Sequence, residues 1–169
     1  MPKPLDLPFD PIERAAGIWS GRFGDARAMS AVTAIMRVQQ ILLAELDSLL
    51  RPHELTFARY EALVLLSFSR EGALPMRVIG QRLMVHPTSA TNTIDRLEEQ
   101  GHVVRLQDPR DGRGRLARIT ESGRRVVEAA TADLMAARFG MGGYADDDLE
   151  QISAMLRQLR VAAGDFADS

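Results

Sequence analysis

Cysteine is missing from all 169 residues, which excludes disulfides, thiol-based redox sensing, cysteine nucleophiles and thiolate zinc sites. Aromatic side chains are scarce, at 5%. Apolar runs stay shorter than the roughly eighteen residues that a membrane-crossing helix needs. The start, Met1-Pro2-Lys3-Pro4, lacks the charged-then-apolar pattern of a secretory signal, so the chain is expected in the cytoplasm and not at a membrane. Histidine occurs only at His53, His86 and His102, far apart and without metal-ligand spacing. Neither a phosphate-binding glycine loop nor a nucleophile motif is present. These absences point away from an enzyme and imply no cofactor. What remains, 46% hydrophobic and 26% charged residues, is ordinary for one globular, largely helical domain long enough to bury a core.

The net charge of −2 conceals an uneven distribution. Residues 1–74 are close to neutral, with eight basic and nine acidic side chains. Residues 75–125 carry ten basic against six acidic, and residues 126–169 three against eight. A basic middle between neutral and acidic ends is what a DNA-facing module on non-contacting helices needs; a solvated basic face is the bland alternative.

Four prolines in the first dozen residues mark an extended arm, followed by a short helix over 12–23. Gly21 and Gly24 then precede a long apolar stretch, Ala28 to Leu50. There Met29, Val32, Met36, Leu43, Leu46 and Leu50 fall at helical spacing, while Ile35, Val38, Ile41, Leu42 and Leu49 widen the stripe. Such width predicts one face on the chain's own core and another against a partner subunit, the alternative being a helix buried wholly within one chain. Thr56 caps a helix expected to bury Phe57, Tyr60, Leu63, Val64 and Phe68. Leu74-Pro75 is a short extended piece, and Met76, Ile79 and Leu83 make a brief one-sided helix. A further helix opens at Pro87 and stops before Gly101. Two helices joined by Met84-Val85-His86 match a helix-turn-helix. His102–Leu106 and Leu116–Ile119 form a hairpin, Thr120 caps a long helix, Gly140–Gly143 break it, and Asp146–Asp148 start the last.

On a wheel of 87–100, Ala90, Ile94 and Leu97 make the buried stripe and Thr88, Asn92, Asp95 and Glu99 lie opposite. Ser89 and Thr91 flank that face, so its first half offers hydroxyls and an amide small enough to enter a major groove about 12 Å wide. Thr88, Ser89, Thr91 and Asn92 are therefore the expected major-groove contacts, Asn92 being suited to bidentate pairing with adenine. Asp95 and Glu99 would tilt away or organise nearby arginines. At the hairpin tip Arg110 and Arg113 are expected to reach a minor groove, with Asp108 and Asp111 shaping the turn and orienting the guanidiniums.

Asp108-x-Arg110-x-x-Arg113, followed by Ile119-Thr120-x-x-Gly123, resembles the wing signature of the multiple antibiotic resistance regulator (MarR) family. Similarity runs from about Leu55 to Val126, through Phe57-Ala58-Arg59-Tyr60, His86-Pro87-Thr88-Ser89 and Asp95-Arg96-Leu97-Glu98-x-x-Gly101, and is architectural elsewhere. The resemblance implies a mainly α (α+β) fold, a winged helix-turn-helix with long N- and C-terminal dimerisation helices. Its parts would be an arm and extra helix over 1–26, dimerisation helices over 27–51 and 124–169, and a DNA-binding lobe over 52–123. It also implies a homodimer that binds double-stranded operator DNA of pseudo-palindromic sequence, usually as a repressor, and releases it to a small aromatic or anionic effector. One urate-responsive branch of the family carries a tryptophan on an added N-terminal helix, as Trp19 does here, and an arginine where Arg105 stands. Glu61 replaces that branch's aspartate and Thr93 its second arginine. By that likeness Trp19, Glu61 and Arg105 are the candidate effector residues; otherwise Trp19 anchors the extra helix and Arg105 meets DNA or solvent. The rival functions are a winged-helix protein-interaction module without DNA binding and a metal-sensing regulator. Arg113→Ala is expected to weaken operator binding with the dimer intact, and an unchanged affinity in a fluorescence-anisotropy titration would contradict the wing assignment.

Overall fold

The computed structural model describes residues 7–109 and 114–167. Helix α1 (Pro11–Phe23) begins where the Asp10 carboxylate accepts from the Ile12 amide at 2.8 Å, with Pro11 in the first turn, where its missing N–H costs nothing. Helix α2 (Arg27–Leu50) follows, then a 3₁₀ turn (Arg51–His53) and α3 (Phe57–Ser67). The Thr56 hydroxyl caps α3 as the sequence predicts, accepting from the Arg59 amide. Strand β1 (Ala73–Pro75) leads into α4 (Met76–Arg82) and α5 (Pro87–Glu99). Strands β2 (Val103–Gln107) and β3 (Arg115–Ile119), α6 (Glu121–Ala136), a 3₁₀ turn (Arg138–Gly140) and α7 (Asp146–Ala162) complete the order.

The sheet is antiparallel in the order β1-β3-β2, with Val103 opposite Ile119 and Gln107 opposite Arg115. Its central strand is thus the returning arm of the hairpin. Leu50, Leu63, Leu66, Ile79, Ile94, Leu97, Val103 and Leu134 are fully buried, so a single core joins the C-terminal end of α2 to α3, α4, α5, the sheet and α6. That core belongs to the helix-turn-helix lobe. His53 adds a polar tie, its Nε2 lying 2.7 Å from the Asp133 carboxylate on α6.

Outside the lobe the helices are not saved from water by their own chain. On α2 only Leu46 and Leu50 are buried, whereas Val32, Ile35, Met36, Val38, Ile41 and Leu43 are exposed. The helix is therefore not buried wholly within one chain. Ile18 and Phe23 on α1 and Ile152, Met155, Leu156 and Leu159 on α7 are exposed as well. Phe68 also departs from expectation. It lies just beyond the last residue of α3, on the face of Phe57 and Val64 and away from Leu63 and Leu66, and remains 83% exposed.

The passage from hairpin to α6 is close-packed. Thr120 accepts from the Gly123 amide at 3.0 Å, capping α6, and donates to the Gly101 carbonyl at 2.8 Å. Its own amide donates to the His102 carbonyl. A side chain at position 123 would collide with that carbonyl, which explains glycine within Ile119-Thr120-x-x-Gly123. His102 itself lies half-buried against the Ser122 hydroxyl, and desolvation holds its imidazole below the usual range despite the opposing field of Glu54. Gly123→Ala places a methyl 2.3 Å from the His102 oxygen and 2.8 Å from Ile119 Cγ1. It should cost about 1–3 kcal/mol, read as a lower urea midpoint, and an unchanged midpoint would contradict this packing.

Candidate nucleic-acid interface

Helix α5 owes its position to Ala90, Ile94 and Leu97, all buried in the lobe's core. Its start is fixed by Pro87 and by His86, whose Nδ1 accepts from the Thr88 amide at 3.3 Å. With one face sunk into the core, Thr88, Ser89, Thr91 and Asn92 are all exposed. Among the described residues no hydrogen bond engages the side chains of Ser89, Thr91 or Asn92, so their donors and acceptors are free to meet an outside partner.

The flank of α5 toward the hairpin is closed by Arg105 on β2. Its guanidinium contacts Asp95, lies 3.3 Å from Glu98, and donates to the Thr91 carbonyl at 3.3 Å. The Arg105 amide also donates to the Glu98 carboxylate at 3.1 Å. Arg105, expected to meet DNA or solvent if it holds no effector, is here turned mainly toward α5. It is shared by two carboxylates on α5, offsetting part of their charge, and ties the helix to the hairpin. Glu99 in turn pairs with Arg96 at 2.8 Å, so the acidic half of the helix does organise arginines.

The hairpin closes with the Asp108 amide donating to the Gly114 carbonyl at 3.0 Å. Asp108 is half-buried there. Arg110, Asp111 and Arg113 lie outside the described residues. Arg115 and Arg118 on β3 are exposed and add to the basic character of this surface.

This arrangement, a capped helix presented beside an antiparallel hairpin, recurs in known proteins. A MarR family profile matches residues 53–114. A MarR family transcriptional regulator of known structure from Streptomyces coelicolor is 60% identical, with a TM-score of 0.79 over 83% of this chain and 98% of its own. The chain belongs to the MarR family of transcriptional regulators. Another member of known structure, CouR from Rhodococcus jostii RHA1 bound to p-coumaroyl-CoA, is 30% identical, with a TM-score of 0.66 over 80% of this chain and 93% of its own. The regulator TtmR of Methylorubrum extorquens (strain PA1) is 35% identical over 121 residues, 69% of this chain. The match spans 60% of that curated relative's length. The mainly α winged helix-turn-helix expected from the sequence is the MarR fold found here.

Of the residues suggested by likeness to the urate-responsive MarR branch, no described contact joins Trp19, Glu61 and Arg105 to one another. Trp19 is partly exposed on α1 and packs its ring against Phe23 at 4.9 Å between centroids. Arg105 is committed to α5. Glu61 on α3 is solvent-accessible, yet partial desolvation holds its carboxyl above the usual carboxylate range. A groove of roughly 480 Å³ does open between α3 and α6, with Tyr60, Val64, Phe68 and Val127 as apolar lining and Arg124 and Glu128 as charges. The raised Glu61 pKa means that the folded chain binds its proton more tightly than the unfolded chain does, so stability falls as pH rises through that window. Glu61→Gln should therefore raise the denaturation midpoint at neutral pH, and the gain should vanish at pH 4; an equal gain at both would show that ionisation is not involved.

Proposed function

We propose that the chain works as a homodimer that occupies a pseudo-palindromic DNA operator, represses transcription by that occupancy, and lets go when a small aromatic or anionic effector binds. The observation that carries the DNA reading is the run of Thr88, Ser89, Thr91 and Asn92, exposed on a rigidly seated helix with the hydrogen-bonding groups of Ser89, Thr91 and Asn92 unspent. Hydroxyls and a carboxamide read base edges and phosphates, and Arg110 and Arg113 supply guanidiniums at the tip for an adjacent minor groove. Asp108 and Asp111 shape that tip. An interaction module without DNA contact would want an apolar recognition face. Here most exposed apolar side chains lie on α1, α2 and α7, although Phe68, Met84, Val85 and Val104 in the lobe are exposed as well.

Those three helices support the dimer. Residues 27–51 and 124–169 contribute the dimerisation helices and residues 52–123 the reading lobe, with the N-terminal arm and α1 added outside. Two lobes related by a twofold axis would address half-sites about 34–36 Å apart. No described helix is long and apolar enough to cross a membrane, which agrees with a regulator working on DNA in the cytoplasm. The α3–α6 groove supports the effector reading: apolar walls suit a ring and Arg124 suits an anion. CouR, a relative solved with an aromatic acyl thioester, makes the same ligand chemistry reasonable here.

The purified chain should migrate at twice its 18.7 kDa mass and retain specific fragments from a sheared-genome selection. Retention should fall steeply with salt, by about 10³–10⁵ in affinity between 50 and 200 mM for six to ten phosphate contacts. Leu156→Glu, on the exposed face of α7, should give monomers and lose the specific fragments. A wild-type chain that retains no fragment at low salt would overturn the reading.

A further inference from the structure

Opposite the flank of α5 that Arg105 closes lies a polar cleft of roughly 340 Å³, lined by Thr56, Arg59, Asn92, Thr93 and Arg96. Arg59 is half-buried and, among the described residues, held by neutral partners. Its Nε donates to Thr56 Oγ1 at 3.2 Å and its Nη1 to Gln100 Oε1 at 3.2 Å. Gln100 is itself fixed, donating through Nε2 to the Glu54 carbonyl at 2.8 Å. Among the described residues no carboxylate lies within ion-pair distance of Arg59, in contrast to Arg105, which has two. Arg96 reaches the same cleft from α5 and shares its charge with Glu99. The cleft is thus a pre-oriented guanidinium with N–H groups to spare, a second cation, two threonine hydroxyls and the Asn92 amide.

Such a lining attracts an anion, and its position says which one. Asn92 belongs at once to the cleft and to the base-reading face. A helix about 10–12 Å across fills a major groove about 12 Å wide, so a phosphate backbone runs along each of its flanks. One flank of α5 is taken by β2 through Arg105; the other is this cleft. We propose that Arg59, assisted by Arg96, grips a backbone phosphate of the operator and so sets the depth and tilt at which Asn92 meets the bases. The proposal rests on the DNA-binding reading above and adds to it a contact from α3, outside the helix-turn-helix and the wing.

The test is the salt dependence of binding to a selected fragment and to a scrambled duplex. Each phosphate contact contributes about 0.9 to the slope of log affinity against log salt, so Arg59→Gln, lost twice per dimer, should lower the slope by about 1.8. The affinity loss should be about 10–100-fold near 0.1 M salt and equal on both duplexes. Arg59→Lys keeps the charge while losing the paired hydrogen bonds to Thr56 and Gln100, and should keep most of the slope. If Arg59→Gln unfolds by circular dichroism, Arg96→Gln, a surface change, should lower the slope in the same sense. A wild type that binds with a steep slope while both glutamine variants match it would overturn the clamp and leave DNA binding standing. Calorimetric heat with inorganic phosphate that disappears in Arg59→Gln while the DNA slope is unchanged would also overturn it, by identifying a small-anion site. A wild type that binds no DNA removes both.

Discussion

Everything presented to the outside by this chain depends on the burial of one narrow stripe, Ala90, Ile94 and Leu97, in the core of the lobe. Three apolar side chains on successive turns fix both the axis and the rotation of α5, because rotating it would drag Ile94 and Leu97 out of a core formed by Leu63, Leu66, Ile79 and Val103. Burying a leucine or isoleucine is worth about 1.5–3 kcal/mol, so such a rotation forfeits a large part of a small domain's net stability. The exposed hydroxyl and amide groups of the opposite face are therefore held by packing at a distance and need no hydrogen bonds of their own.

The two flanks of that helix are treated differently. Toward the hairpin, Asp95 and Glu98 would repel a polyanion, and Arg105 offsets part of their charge while joining β2 to α5. Arg105 is about three-quarters buried at its side chain and hydrogen-bonded by backbone as well as carboxylate groups, so its pairs are better screened from water than the exposed Arg96–Glu99 pair. Arg105 thus ties the recognition helix to the first strand of the hairpin. On the other flank no carboxylate among the described residues lies within ion-pair distance of Arg59. Net charge along one helix is arranged by side, which the total of −2 for the chain does not reveal.

How much of this the sequence discloses depends on the range of the interaction. Caps are local, and Thr56, Pro87 and Thr120 each mark a helix start where the structure has one. The period of Ala90, Ile94 and Leu97 is local too, and reading it placed Thr88, Ser89, Thr91 and Asn92 on the outside. Phe68 escaped because a wheel extended past Ser67 treats it as helical core, whereas α3 has ended. The partners of Arg105 lie seven to fourteen residues away across a strand, and those of Arg59 reach Gln100, forty-one residues on. No periodicity carries such a pairing. Arg59 and Arg96 both stood in the quoted family segments, but only the folded chain brings them into one cleft. Arg110, Asp111 and Arg113 were legible as chemistry alone.

The acidic C-terminal quarter has its own local explanation. Asp146, Asp147 and Asp148 occupy the first turn of α7, where carboxylates offset the positive end of the helix dipole. Asp148 accepts from the Ala145 amide at 3.2 Å, and Asp146 lies 2.7 Å from Arg138 in the preceding turn. These charges help to start a helix whose apolar face, Ile152, Met155, Leu156 and Leu159, is exposed. Beyond a Debye length of about 8–10 Å at physiological salt they contribute little to the field felt by a polyanion at α5. An acidic chain can therefore present a basic reading surface without contradiction, provided that its carboxylates near α5 are met by guanidiniums, as Asp95 and Glu98 are by Arg105 and Glu99 is by Arg96.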